Sequence, residues 1–210
     1  MKDLPRPDPR VDTDEYRAYW MQRLQRDARE PVAWAVIADG LVRAARVLQQ
    51  AVPTTRGLVA GGGLPPGWDL PRAYLMLLAF AAENYLKGIL IGRDPSLVGE
   101  SRITSWAGGG HDLRALADEA ALELTEDDRA LLLTLSVFGE WMGRYPCPLR
   151  HDDRLPRPAA GGGFSPLGVV RGFDAERAFA ICEGFARILD RERSQPKTVE
   201  PDAATDGVGR

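Results

Sequence analysis

Residues 71–93 read PRAYLMLLAFAAENYLKGILIGR, and this stretch decides the fold. Pro71 suits the first turn of a helix, where its missing N–H costs nothing, and Asp69 stands where a cap belongs. From Ala73 to Ala82 the side chains are apolar nearly all round, so the predicted helix has no wet face until Glu83. A spanning helix needs about 20 mostly apolar residues, and Glu83, Asn84 and Lys87 interrupt the run too early. The expectation is the central, buried helix of a soluble bundle, with no membrane partner.

Working outward, the flanking segments repeat the helical period. Asp12 or Thr13 suits a cap for a helix that places Tyr16, Tyr19, Trp20 and Leu24 on one face. Pro31 opens a second, whose stripe is Trp34, Ile37, Leu41, Val42, Ala45 and Leu48. A short helix is expected from about His111 to Leu122, with Leu113, Leu116 and Ala117 inward. Thr125-Glu-Asp-Asp128 resembles a capping box and opens a fifth helix with Leu131, Leu135, Phe138 and Met142 inward. Asp174 caps the last, which gathers Phe179, Cys182, Phe185 and Leu189. No window shows the alternation of a strand. The fold class is therefore all-α, an up-and-down bundle of five or six helices.

The connections are rich in glycine and proline. Sixteen of the 22 glycines fall in 53–70, 92–110 and 143–172, and each segment holds a triple glycine. Residues 1–12, with Pro5, Pro7 and Pro9, read as an extended arm, 13–190 as one helical domain, and 191–210 as a disordered tail.

Composition narrows the chemistry. The 210 residues carry a net charge of −3, and 24 of the 27 basic residues are arginine. Cys147 and Cys182 are too few for a disulfide framework or a four-cysteine metal site, and two histidines make a His-rich metal site untenable. No GxxxxGK[ST], strand-borne GxGxxG, HExxH or nucleophile elbow is present, and no cofactor motif is found. Met1–Arg10 has no apolar signal core, so a cytoplasmic location is expected.

Three polar islands remain. Glu83 and Lys87 lie four residues apart on one face of the most apolar helix, with Asn84 beside them; they form either an ordinary ion pair or a polar floor. Gly110-His111-Asp112 sits where a flexible loop enters a helix, so either Asp112 or His111 caps that helix or His111 binds phosphate or donates to a carboxylate. The segment from Gly143 onward holds Arg144, Arg150, Arg154, Arg157 and Arg171 against Asp152 and Asp153, a local charge of +3 before His151. Guanidinium forks suit phosphate, and the acidic whole means that any nucleic-acid contact is local.

The order of Ala-Glu-Asn-Tyr-Leu-Lys-Gly (82–88), Gly-His-Asp-Leu (110–113) and Gly-Arg-Tyr-Pro (143–146) resembles the HEPN domain family (higher eukaryotes and prokaryotes nucleotide-binding), in its Arg-Tyr-Pro form, over about residues 71–190. The resemblance implies a helical bundle that commonly dimerises and acts with an antitoxin or in phage defence. It also implies binding of RNA or a nucleotide and, in active members, metal-independent cleavage of RNA by an arginine and a histidine four to six residues apart. Arg144 and His151, with six residues between them, fit the outer limit. The histidine would take a proton from the ribose 2′-hydroxyl and the arginine would stabilise charge on the phosphate. Glu83, Asn84, Lys87, His111, Tyr145 and Arg150 are the expected ligand-binding set. The competing expectation is a non-catalytic interaction module, in which Arg144 and Tyr145 cap and pack the end of the fifth helix, and Trp20, Trp34 and Trp141 serve a core or a dimer contact.

Overall fold

A computed structural model describes residues 13–52, 70–99, 103, 106–144, 157–158, 164–165 and 174–194. Six α-helices account for most of these: α1 (Thr13–Arg29), α2 (Pro31–Gln50), α3 (Leu70–Arg93), α4 (Leu113–Glu119), α5 (Glu126–Val137) and α6 (Ala175–Ser194). The protein is an all-α bundle, as the periodicity predicts.

The 24 residues of α3 make a rod about 36 Å long. Thirteen of them are buried, and α2 and α6 pack along it while α4 and α5 close the remaining side. It is long and apolar enough to cross a membrane, but most of its apolar surface is buried against the other helices. Gly88 lets α2 and α6 approach α3 closely: a Cβ there would stand 3.1 Å from Trp34 Cβ and 3.2 Å from Leu189 Cδ2. The core beside it is built from Leu75, Leu78, Leu86, Phe138, Phe179 and Phe185, all almost fully buried.

Local chemistry fixes the helix ends. Pro31 occupies the first turn of α2 behind the Glu30 cap. Asp112 accepts from the N–H groups of Arg114 and Ala115, both at 3.0 Å, and so starts α4. Thr125 and Asp128 form the reciprocal capping box of α5. Asp174 accepts from Arg177 N at 2.9 Å and starts α6.

Several expectations are corrected. The helix after His111 spans only Leu113–Glu119, because Asp112 takes the cap position and Ala121 adopts a positive φ of 47° that ends it. The last turn of α5 widens into a π-turn over Phe138–Met142, closed by Gly143 N donating to Phe138 O. Ile37, expected on the inner stripe of α2, is 56% exposed, because Ala38, Ala45, Leu41 and Val42 define the face that meets α3. On α1 the Trp20–Leu24 face is open to solvent, and only Ala28 is buried. Helix α6 runs to Ser194, four residues into the expected tail, because its apolar face reaches Leu189 and carries the last turn with it. A two-residue antiparallel ladder, Arg157–Pro158 with Phe164–Ser165, stands where no strand was expected; so short a pair needs no alternating pattern.

Candidate functional site

The spacing Met76, Phe80, Glu83, Lys87 steps by four, three and four, which keeps all four on one face of α3. Two other elements meet that face. At its N-terminal end Gly143 lies so close to Met76 that a Cβ would stand 2.5 Å from the Met76 Cβ. One turn on, Arg144 holds its guanidinium over the Phe80 ring, 5.7 Å from the centroid. Beyond it the turn Ala107–Gly110 brings His111 to Glu83 and Trp106 to Lys87.

Glu83 is the hinge of this arrangement. Its Oε1 accepts from Lys87 Nζ at 2.6 Å, and its Oε2 lies 2.9 Å from His111 Nδ1. The Glu83 and Lys87 side chains are only 14% and 11% exposed, whereas His111 is half exposed. An ionised carboxylate only accepts, so Nδ1 carries the proton of this contact. In the neutral ring Nε2 is then the bare lone pair. A carboxylate fixing one ring nitrogen of a half-exposed histidine is an arrangement that suits a general base.

Lys87 is enclosed as well as paired. Its Nζ lies 5.5 Å from the Trp106 ring centroid, and Trp106 packs edge-on against Trp34 at 6.4 Å. Gly110, at φ +85°, runs its backbone beside the ammonium: a Cβ there would meet Nζ at 3.3 Å and Trp106 Cδ1 at 3.0 Å. The triple glycine is thus the means by which a loop approaches a buried lysine and delivers His111 to the same carboxylate.

The structure brings together Glu83, Lys87 and His111 from the expected set. Asn84 is turned away: its Nδ2 donates to Phe80 O at 2.7 Å, a contact within its own helix. Arg144 donates through Nη2 to Gly139 O at 2.8 Å and Glu140 O at 2.5 Å, so this guanidinium holds the carbonyls left open by the π-turn. Tyr145, Arg150 and His151 lie outside the described residues. Trp106 and Phe80, which the sequence reading does not single out, complete the site together with Gly110. The signal for Phe80 was its place one turn before Glu83 and Asn84. Trp106 offered only its closeness to a triple glycine. Among the described residues no cluster of His, Cys, Asp and Glu could hold a metal ion.

No protein-family model, curated protein or solved structure matches the chain.

Proposed function

We propose that the chain is a HEPN-like helical protein that binds a nucleotide or RNA at the polar end of α3, with the Glu83–His111 pair as its reactive group. The observation that carries this reading is the single carboxylate shared between a buried lysine and a half-exposed histidine. That geometry favours His111 over His151 as the acid–base residue: Glu83 orients its ring, and Nε2 is free to take the proton of a ribose 2′-hydroxyl. The products of such a step are a 2′,3′-cyclic phosphate and a free 5′-hydroxyl. Arg144, seated on Phe80 along the same face, is the arginine of the Arg-Tyr-Pro motif and the cation that would meet the phosphate. A toxin–antitoxin or phage-defence setting follows from the resemblance alone.

RNA cleavage in EDTA tests the reading, with wild type beside His111→Ala, Glu83→Gln, Arg144→Ala and His151→Ala. Loss of cyclic-phosphate products in His111→Ala and Glu83→Gln, with His151→Ala unchanged, supports it. Loss in His151→Ala with His111→Ala unchanged moves the chemistry to the other histidine.

A second reading, a non-catalytic interaction module, is favoured by the bonds of Arg144 to Gly139 O and Glu140 O. Fluorescence titration with labelled RNA separates the two. A chain that binds no RNA while folded is a module of this second kind.

A further inference from the structure

The turn that carries Arg144 is bonded out of α-helical order, and its own guanidinium holds it so. In an α-helix Gly143 N would donate to Gly139 O and Arg144 N to Glu140 O. Here Gly143 N donates to Phe138 O at 3.1 Å, and Arg144 N to Trp141 O at 3.0 Å. The two carbonyls passed over are the two that the Arg144 side chain takes, Gly139 O at 2.8 Å and Glu140 O at 2.5 Å. Each carbonyl therefore has two donors to choose between, a guanidinium in the π form and a backbone N–H in the α form.

The π form carries signs of its cost. Trp141 Nε1 is buried and, among the described residues, has no hydrogen-bond partner. A Cβ on Gly143 would stand 2.5 Å from Met76 Cβ and 2.8 Å from Phe138 O, the oxygen that closes the turn, so this form has no room for a side chain there. Single π-turns within α-helices are rare and are often found at functional sites.

The same bonds set a condition on any phosphate contact. A guanidinium grips phosphate with one of two planar forks, Nε with Nη2 or Nη1 with Nη2. Both forks include Nη2, and Nη2 makes both contacts to the turn. Arg144 cannot keep both carbonyls and also close either fork on a phosphate.

We infer that the π-turn is a latch: Arg144 holds it as an internal ligand, and a phosphate that takes the guanidinium returns residues 138–143 to α-helical bonding. This latch rests on the reading of Arg144 as the phosphate cation and adds a control to it. When the guanidinium leaves, Gly143 N and Arg144 N pass to Gly139 O and Glu140 O, so neither carbonyl is stranded. A ligand moves such an equilibrium only through its different affinity for the two forms, and here the difference is the fork itself.

Backbone NMR of the full chain tests this, with the carbon-13 shifts of residues 138–143 and the Trp141 indole N–H as reporters. The probe is a hexaribonucleotide whose 2′-oxygens are methylated, which prevents its cleavage; its binding is followed separately by fluorescence of a labelled copy. Arg144→Ala without probe and wild type with probe are expected to move the reporters to the same α-helical values. Gly143→Ala, whose Cβ the π form excludes, is expected to show those values unliganded and to bind the probe about tenfold tighter, since the release step is already complete. Unchanged π-form shifts in Arg144→Ala overturn the latch whatever the chain binds. So does α-helical bonding in Gly143→Ala with weaker binding of the probe. Wild type that binds the probe with unchanged shifts overturns the latch and leaves the ligand reading standing. Absence of probe binding by folded wild type overturns both.

Discussion

Glu83 Oε2 lies 2.9 Å from His111 Nδ1, while the other oxygen of the same carboxylate holds Lys87 at 2.6 Å. The two contacts have different consequences. Lys87 is buried, so removing its counter-charge leaves an ammonium without compensation, whereas His111 is half exposed and water replaces its partner readily. Glu83→Gln is therefore expected to lower stability by about 3 kcal/mol in urea melts. His111→Ala is expected to cost under about 1 kcal/mol and to abolish ligand binding or cleavage. Equal stability losses in the two variants would mean that Lys87 does not depend on Glu83.

Arg144 is a capping residue before it is anything else. Its guanidinium donates to Gly139 O and Glu140 O and lies over Phe80, so it ties the π-turn to α3. Arg144→Ala should cost about 2 kcal/mol, the scale of charge-assisted bonds and a cation–π contact at a partly exposed site. Arg144→Lys should recover less than half of that, since an ammonium lacks the planar fork. A melting temperature unchanged in Arg144→Ala, with ligand binding reduced, would assign the guanidinium to the ligand instead.

What the sequence disclosed follows from the range of the forces involved. Caps are local: Thr125 and Asp128 are three residues apart, and Asp112 and Asp174 each precede their helix directly, so spacing alone reveals them. The burial of α3 was legible because ten apolar residues in a row leave no side for water. The pairing of Glu83 with Lys87 was legible for the same local reason. The contact of Glu83 with His111 spans 28 residues and depends on a glycine turn whose course no periodicity encodes. Ile37 marks the opposite failure: an apolar residue at helical spacing was read as core, although α2 is apolar on two sides and the pattern cannot say which one meets α3.

Gly109 and Gly110 offer a controlled comparison within that turn. Both hold positive φ, +71° and +85°, but a Cβ on Gly109 meets nothing within 4 Å. On Gly110 it meets Trp106 at 3.0 Å and Lys87 Nζ at 3.3 Å. Gly109→Ala should therefore cost about 1 kcal/mol, the left-handed penalty alone. Gly110→Ala adds displacement of Trp106 and Lys87 and should cost at least twice as much, with a change in tryptophan fluorescence. A similar cost for both, with unchanged emission, would show that Trp106 does not rest on Gly110.

Asp128 makes stability depend on acid in a definite direction. Burial alone would raise its carboxyl, but the Thr125 hydroxyl, the Arg177 guanidinium and the Thr125 N–H together hold it below the ordinary carboxylate range. Arg177 Nε reaches Asp128 Oδ1 at 2.9 Å and its Nη2 reaches Thr125 Oγ1 at 3.0 Å, so one side chain of α6 clamps the start of α5. A carboxyl whose folded value is depressed binds its proton more readily in the unfolded chain. The stabilisation is thus complete above the unfolded value of about 3.9 and is lost as pH falls through the lower folded one. Glu176, held down by Arg46 and Gln49, titrates in the same direction, so the wild-type curve alone does not isolate Asp128. The difference in urea midpoint between wild type and Asp128→Asn does: it should be largest near pH 7 and shrink below about pH 3.9. Arg177→Gln should shrink it at every pH, because the carboxylate then loses the cation that depresses it. A wild-type to Asp128→Asn difference that is constant from pH 7 to pH 2 would mean that the carboxylate at Asp128 is not held down by this clamp.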